Sequence, residues 1–308
     1  MHPKVLLKAY ENGENITMLM KQLLNLADNS EEIIETAYDL QAGTYKRKVE
    51  KPSYNARKVA YGKAIVDQIL ELTNPGSLLE AGVGEGTTLS YVMSAFGDRG
   101  IDNLEVHGFD LSWSRIAECK EWLWANGHKD TFLSVASLLH LPYVDGAFDV
   151  VYTSQAIEPN RGKERLILNE LFRVTSRYLV LIEPCYELVS EEVRARMDKH
   201  GYCRDLPGHA EALGMKVVKY ELFDTIMLKS VNPVGILVIE KNPAASAARP
   251  QLACPRYGDV MSDCGDSLFS QGSLRAYPKI QGIPCLRLED GVIASGYDRM
   301  RDFLSNVD

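Results

Sequence analysis

The sequence predicts an α/β fold: a mostly parallel sheet of seven strands ending in an antiparallel hairpin at one edge, with a helical segment before it and a small α+β domain after it. Three observations carry this expectation. Between Ser77 and Lys241 short apolar β-type runs alternate with helical segments, a pattern that predicts parallel strands joined by right-handed helical crossovers. A glycine-rich turn, Gly82-Val83-Gly84-Glu85-Gly86, follows the first of these strands and opens a helix, where glycine permits positive φ and close approach of a ligand to the backbone. Beyond Lys241 a proline-bounded run of small residues from Asn242 to Pro250 separates off a C-terminal piece rich in Gly, Asp and Cys, as a linker would.

Taken in order, residues 1–36 read as helical because Leu6, Leu7, Tyr10, Ile16, Leu19, Met20, Leu23 and Leu24 recur near helical spacing. Asn12-Gly13 divides them into two short helices. A polar, basic stretch from Lys46 to Ser53 leads to a helix around 57–72, closed by Asn74-Pro75-Gly76. Strands are expected at 77–80, 104–110, 131–135, 148–154, 178–183, 217–223 and 236–240. Only the loop 224–235 separates the last two, so they pair as the edge hairpin. The resulting division is 1–55 for the helical segment, which is also the candidate lid, 56–242 for the sheet domain, 243–250 for the linker and 251–308 for the small domain and tail.

Composition narrows the function. With 45% hydrophobic and 25% charged residues the chain has the make-up of a soluble globular protein. Apolar runs such as Val234 to Ile239 are far too short to cross a bilayer, and Lys4, Lys8, Glu11 and Glu14 interrupt any secretory apolar region. Six widely spread cysteines suit a reduced compartment. The expectation is a cytoplasmic protein with no membrane partner. Thirty-four basic against forty-two acidic residues give a net charge of −8 with no Lys/Arg block, which disfavours a nucleic-acid partner; a homodimer is left open.

The glycine turn has the spacing G-x-G-x-G, with Thr87 where the third glycine of a dinucleotide fingerprint belongs and Glu80 at the preceding strand end. S-Adenosylmethionine carries an α-ammonium group and no pyrophosphate, so an acid at position 80 can anchor its amino-acid end. Twenty-four residues beyond Gly86 the next strand also ends in an acid, Asp110, a carboxylate placed to accept both ribose hydroxyls.

At these residues the sequence resembles the class I S-adenosylmethionine-dependent methyltransferases, over roughly 37–241. Leu78-Leu-Glu80-Ala-Gly82-Val-Gly84-Glu-Gly86 is similar to their first motif and Gly108-Phe-Asp110-Leu111-Ser112 to their second. Ser137-Leu138 begins a stretch, through Val151, similar to the one running from their third strand to their fourth. Ala136-Ser137 stands where the family often has Gly-Asp, so the group meeting the adenine amine is a hydroxyl here. The segment from Tyr38 to Tyr45 is similar to the aromatic stretch that closes over the cofactor, and rings beside a sulfonium are favourable because cations are attracted to aromatic faces. The resemblance implies a Rossmann-like sheet, S-adenosylmethionine as cofactor, and a binding set of Glu80, Gly82, Gly84, Gly86, Asp110, Leu111, Ser137, Leu138, Ser154, Tyr38 and Tyr45.

The acceptor is expected near the end of the fourth strand, Ser154 to Asn160. No Asn-Pro-Pro-Tyr type motif appears, which disfavours amide or exocyclic amine acceptors, and Pro159 occupies the place of a histidine in many small-molecule relatives of the family. Candidate catalytic groups are therefore His200 and Glu158, with Tyr202, His209 and Glu183 behind them. O-Methylation of a small molecule, a sugar or secondary metabolite in a bacterial biosynthetic pathway, is the leading reading. An RNA or protein methyltransferase and a non-catalytic cofactor-binding scaffold are the alternatives. Finally, Cys254-Pro-Arg-Tyr257, Cys264-Gly-Asp-Ser267 and Tyr277-Pro-Lys-Ile-Gln-Gly-Ile-Pro284 resemble the zinc-ribbon activator subunit of several methyltransferases. Tyr257 and Ser267 replace the second cysteine of each knuckle, so the expected ribbon-like domain holds no metal.

Overall fold

A computed structural model describes residues 2–223, 233–246 and 249–305; most of the expected 224–235 loop and the middle of the 243–250 linker lie outside the described residues. The N-terminal segment forms α1 (Pro3–Glu11), α2 (Ile16–Leu24), α3 (Glu31–Asp39) and α4 (Thr44–Val49), followed by α5 (Pro52–Leu72). Asn15 and Ser30 cap α2 and α3 by accepting from the amides of Met18 and Ile33, which satisfies donors that a helix start leaves unpaired. Leu6, Ile16, Met20, Ile33 and Ala37 make a small core between these helices. The basic stretch 46–53 thus becomes helical on both sides of a break at Glu50-Lys51, and α5 starts five residues before the expected position. Pro52 explains this, since its fixed φ suits the first turn of a helix.

The sheet domain then alternates as expected: β1 (Ser77–Ala81), α6 (Thr87–Gly97), β2 (Glu105–Asp110), α7 (Trp113–Ala125), β3 (Phe132–Val135), β4 (Phe148–Ser154), α8 (Glu164–Val174), β5 (Thr175–Pro184), α9 (Glu191–His200), α10 (Leu206–Ala212), β6 (Lys216–Leu222) and β7 (Val234–Glu240). Strand order is β3-β2-β1-β4-β5-β7-β6. β7 runs antiparallel to both β5 and β6, so the C-terminal hairpin forms one edge. Every residue of β1 is buried, as a central parallel strand with helices on both faces must be. The chain order reverses between β1 and β4, and ligands of such sheets bind at the carboxyl ends beside that switch point.

Residues beyond the linker form a five-stranded antiparallel sheet of β8 (Ser262–Asp263), β9 (Ser267–Ser270), β10 (Arg275–Ile280), β11 (Ile283–Pro284) and β12 (Val292–Ile293), before α11 (Tyr297–Ser305). It docks on the opposite edge of the main sheet. Cys285 bridges Val135 in parallel fashion, and the Leu286 amide donates to the Val135 carbonyl at 2.8 Å. Ile283 and Cys285 enter the main core. A strand edge that would otherwise offer unpaired amides is thereby covered. Tyr257 is exposed, Cys254 lies 3.3 Å from the Tyr277 hydroxyl, and the Ser267 hydroxyl pairs with that of Tyr297. Among the described residues no group of three or more His, Cys, Asp or Glu is placed to hold a metal ion.

Candidate functional site

The carboxyl ends of β1, β2 and β4 open into a trough roofed by α3 and α4. The amides of Gly82 and Val83 both donate to the Phe109 carbonyl, at 2.9 and 2.8 Å, tying the glycine loop to the end of β2. Gly82 has φ of +75° and a side chain there would sit 2.4 Å from the Ala156 Cβ, so the turn tolerates nothing larger. Gly86, expected in the binding set, lies behind the loop: a Cβ would meet the Cys119 sulfur at 2.5 Å, and the residue instead lets the chain turn into α6.

Asp110 ends β2 and accepts from the amides of Gly84 and Ser112, each at 3.0 Å. Glu80 is buried and accepts from the Tyr152 hydroxyl at 2.7 Å; burial pushes its proton affinity up to about 8, against the lowering by Tyr152 and Lys58. Across from it Lys58, on α5, donates to the Thr88 hydroxyl at 2.8 Å and is drawn down to about 8 by burial. A buried ammonium and carboxyl on facing walls of one cavity match the two charged ends of an α-amino acid.

Arg115 divides the trough. Its guanidinium, side chain 12% exposed, lies 4.9 Å from the Tyr38 ring and 5.3 Å from that of Tyr45, with Asp110 at 4.0 Å. On one side is a cavity of about 70 Å³ whose wall includes Glu31, Asp110, Leu111 and Leu138. On the other is one of about 120 Å³ with Lys58, Glu80, Thr88, Ser154 and Glu158. Tyr38, Gly82, Arg115 and Gln155 line both. The aromatic faces expected to meet a sulfonium therefore already carry a cation. Gln155, in left-handed conformation at φ +57°, is a strained non-glycine residue of the kind found at ligand sites.

Ser137 is not in the cavity wall. Its hydroxyl turns to the Glu31 carboxylate and to the Leu139 amide, and Glu31 takes the wall position. The carboxylate in that wall thus comes from α3, over a hundred residues earlier in the chain. Two further acids hook the lid down. Asp39 accepts from the Ser112 hydroxyl at 2.7 Å and the Ser114 amide at 3.1 Å, while buried Glu85 accepts from the amides of Tyr45 and Lys46.

A third cavity of about 410 Å³ opens beside the trough, and Tyr38, Tyr45 and Glu158 belong to its wall as well, with His200 and Tyr202 beyond them. Glu158 thus bounds both the amino-acid end of the trough and this larger space. Its Oε2 is enclosed without a hydrogen-bond partner among the described residues. Burial first, then the charge of Glu183, raises its proton affinity to about 8 despite Arg196. His200 is lowered, by burial and by the cations Arg196, Lys199 and Lys21. Glu183 accepts from the amides of Ala156 and Ile157 at 3.0 and 3.1 Å and braces the loop that presents Glu158. His209 instead accepts from Arg165 at 3.3 Å, on α10 and outside these three cavities.

Comparison with known proteins agrees with this geometry. Residues 78–177 match the family model described as a methyltransferase domain. Norajmaline N-methyltransferase of Rauvolfia serpentina is 29% identical over 121 residues, which are 36% of this chain and 39% of that protein; the chain spans about two fifths of that relative's length. Magnesium protoporphyrin IX methyltransferase of Synechocystis, solved with bound SAH, superposes with a TM-score of 0.51 at 13% identity, over 70% of this chain and 100% of that one. A SAM-dependent methyltransferase of Aquifex aeolicus gives 0.45 at 17% identity, over 64% and 97%. At such identities the likeness concerns the fold, a seven-stranded Rossmann-like methyltransferase sheet.

Proposed function

We propose that this chain, whose residues 78–177 are a methyltransferase domain of the Rossmann-like, S-adenosylmethionine-dependent kind, methylates an oxygen of a small-molecule acceptor with Glu158 as the base. The observation that carries this reading is the position of Glu158, an enclosed carboxyl shared by the trough and the 410 Å³ cavity. In this reading the acceptor is a sugar or secondary metabolite of a bacterial biosynthetic pathway, and the cavity has room for a molecule of that class.

The donor set of the trough fits the cofactor. Glu80 and Lys58 suit its α-ammonium and α-carboxylate, Asp110 its ribose hydroxyls, and Glu31 its adenine amine. S-Adenosylmethionine supplies an electrophilic sulfonium methyl group. Glu158, once ionised, would take the proton of the acceptor hydroxyl as that oxygen is methylated, so that no charge is left on the product oxygen. Tyr38 and Tyr45 keep water from the reacting atoms, and the remaining acceleration is positional.

The C-terminal sheet, which resembles the ribbon activator, acts here as a built-in support. Arg287 pairs with Glu35 of α3 at 2.6 Å, so the domain that covers the β3 edge also holds the lid helix. The test is incubation with methyl-labelled S-adenosylmethionine and a panel of hydroxylated small molecules. The expected result is labelled product with S-adenosylhomocysteine in equal amount. Cofactor binding with no turnover on any acceptor would point to a scaffold, and NAD binding with none for S-adenosylmethionine would defeat the reading altogether.

A further inference from the structure

The acceptor cavity gathers cations at one side although the chain as a whole carries a net charge of −8. Lys21 of α2 and Lys199 of α9 both stand in the wall of the 410 Å³ cavity. Neither ammonium has a hydrogen bond or ion pair among the described residues. Arg196, one helical turn before His200, has an enclosed Nη1 without a hydrogen-bond partner among them. All three cations act on His200, so they converge on one place. The acids in the same wall are Glu14 and Glu158, and Glu158 is largely protonated near neutral pH. Two ammonium groups brought to one cavity wall from distant elements, neither held in an ion pair, repel one another, and an anion between them removes that cost and gains charge-assisted hydrogen bonds.

The position of the pair matters as much as its charge. Lys21 and Lys199 also line a shallower outer groove of about 420 Å³, together with Met18, Leu26 and Ala27. They mark the neck between an inner chamber that ends at Glu158 and an outer groove whose wall pairs an apolar side of Met18, Leu26 and Ala27 with the polar Gln22 and Asn25. Met18 and Leu26 are 39% and 42% exposed, leaving that surface free to be covered.

Resting on the methyl-transfer reading of the site, we infer that the acceptor is an amphiphilic anion. A carboxylate or phosphate lies between Lys21 and Lys199, the accepting hydroxyl reaches inward to Glu158, and an apolar portion extends outward over Met18 and Leu26. The positive neck also draws such a molecule into the mouth of an otherwise acidic protein.

The test is calorimetric titration of the full chain with octanoate, octyl phosphate and 1-octanol, with S-adenosylhomocysteine titrated separately. Both anions should bind, and 1-octanol at least about tenfold more weakly, the size expected for a hydrogen bond to a charged group. Lys21→Gln and Lys199→Gln should each weaken the anions by about tenfold and leave 1-octanol unchanged. Both lysines lie at the surface of their helices, so these variants keep the fold, and their affinity for S-adenosylhomocysteine should stay within about twofold of the parent, as groups remote from the trough require. A preference for either anion supports the proposal and tells carboxylate from phosphate. Equal binding of octanoate and 1-octanol, unchanged anion affinity in both variants, or no anion binding by a chain that does bind S-adenosylhomocysteine would overturn it. Failure to bind S-adenosylhomocysteine would instead defeat the methyltransferase reading on which it rests.

Discussion

Replacing Glu158 by Gln removes the proposed base while keeping the side chain's volume and one hydrogen-bonding oxygen. A carboxyl with a proton affinity near 8 is about one tenth ionised at pH 7 and about one hundredth at pH 6, by the definition of pKa. In the parent, kcat/KM should therefore rise about tenfold per pH unit below 8 and level off above about 9, because the free enzyme must carry the ionised base. The variant should lose this rise. At pH 8.5 it should be slower by about 10²–10⁴-fold, the usual contribution of a positioned base, which corresponds to about 3–5 kcal/mol of barrier. Its affinity for S-adenosylhomocysteine should change little, since Glu80, Lys58 and Asp110 remain. The assay is the initial rate of S-adenosylhomocysteine formation from pH 6 to 9.5, with calorimetry for binding. A variant that retains the parent's sloping profile, or loses less than about threefold in rate, would refute the role of Glu158; the enclosed oxygen would then reflect packing, and a base contribution of the usual size would have to come from elsewhere.

Lys58→Met should weaken S-adenosylmethionine binding by about ten- to a hundredfold, the cost of a charge-assisted hydrogen bond, and calorimetry on variant and parent at equal stability measures it. Cofactor affinity should increase from pH 6 to about 8, with a proton released on binding, because the raised Glu80 carboxyl must ionise to receive an ammonium; above 8 the curve should turn over as Lys58 loses its charge, and a flat profile would remove Glu80 from the site. Tyr38→Ala and Tyr45→Ala should weaken binding while the Phe variants do so less, since the ring faces and not the hydroxyls hold the Arg115 guanidinium that divides the trough; affinity equal to the parent's in the alanine variants would mean that these tyrosines only pack. Arg287→Ala should weaken cofactor binding although it touches no cavity wall, because the ion pair with Glu35 steadies α3; titration calorimetry alongside a melting curve separates this from a general loss of stability.

The sheet was readable because its signals are local. Apolar runs of strand length, glycine between strand and helix, and an acid closing each of the first two strands all lie within a few residues of one another, and the observed β1, β2, β3 and β4 begin and end within one residue of the expected limits. The same holds for Glu80, Asp110 and Leu111, which stand at strand ends by register. The stretch 46–53 was misread because charge masks a helix whose start is set by Pro52.

What stayed hidden depends on pairs remote in sequence. Lys58 follows Arg57 in the polar opening turns of α5 and reads as a solvated lysine; only packing α5 against α6 puts it opposite Thr88 and Glu80. Ser137 reads as a hydroxyl where an aspartate is usual, yet in the fold it holds Glu31, an acid of another element that stands in the cavity wall. Arg115 belongs to no motif, and Asp39 and Glu85, although they sit inside the aromatic segment and the glycine turn, have no role that those motifs reveal. Lid and loops meet through these three, with Arg115 under the two tyrosines, Asp39 on the amide and hydroxyl after β2, and Glu85 at the start of α4. Each contact ties a residue of the N-terminal segment to one of the two motif loops or to the first turn of α7. These contacts couple the N-terminal segment to the loops that shape the trough, so a change at Asp39 or Glu85 should act on cofactor binding as directly as a change in the glycine loop itself.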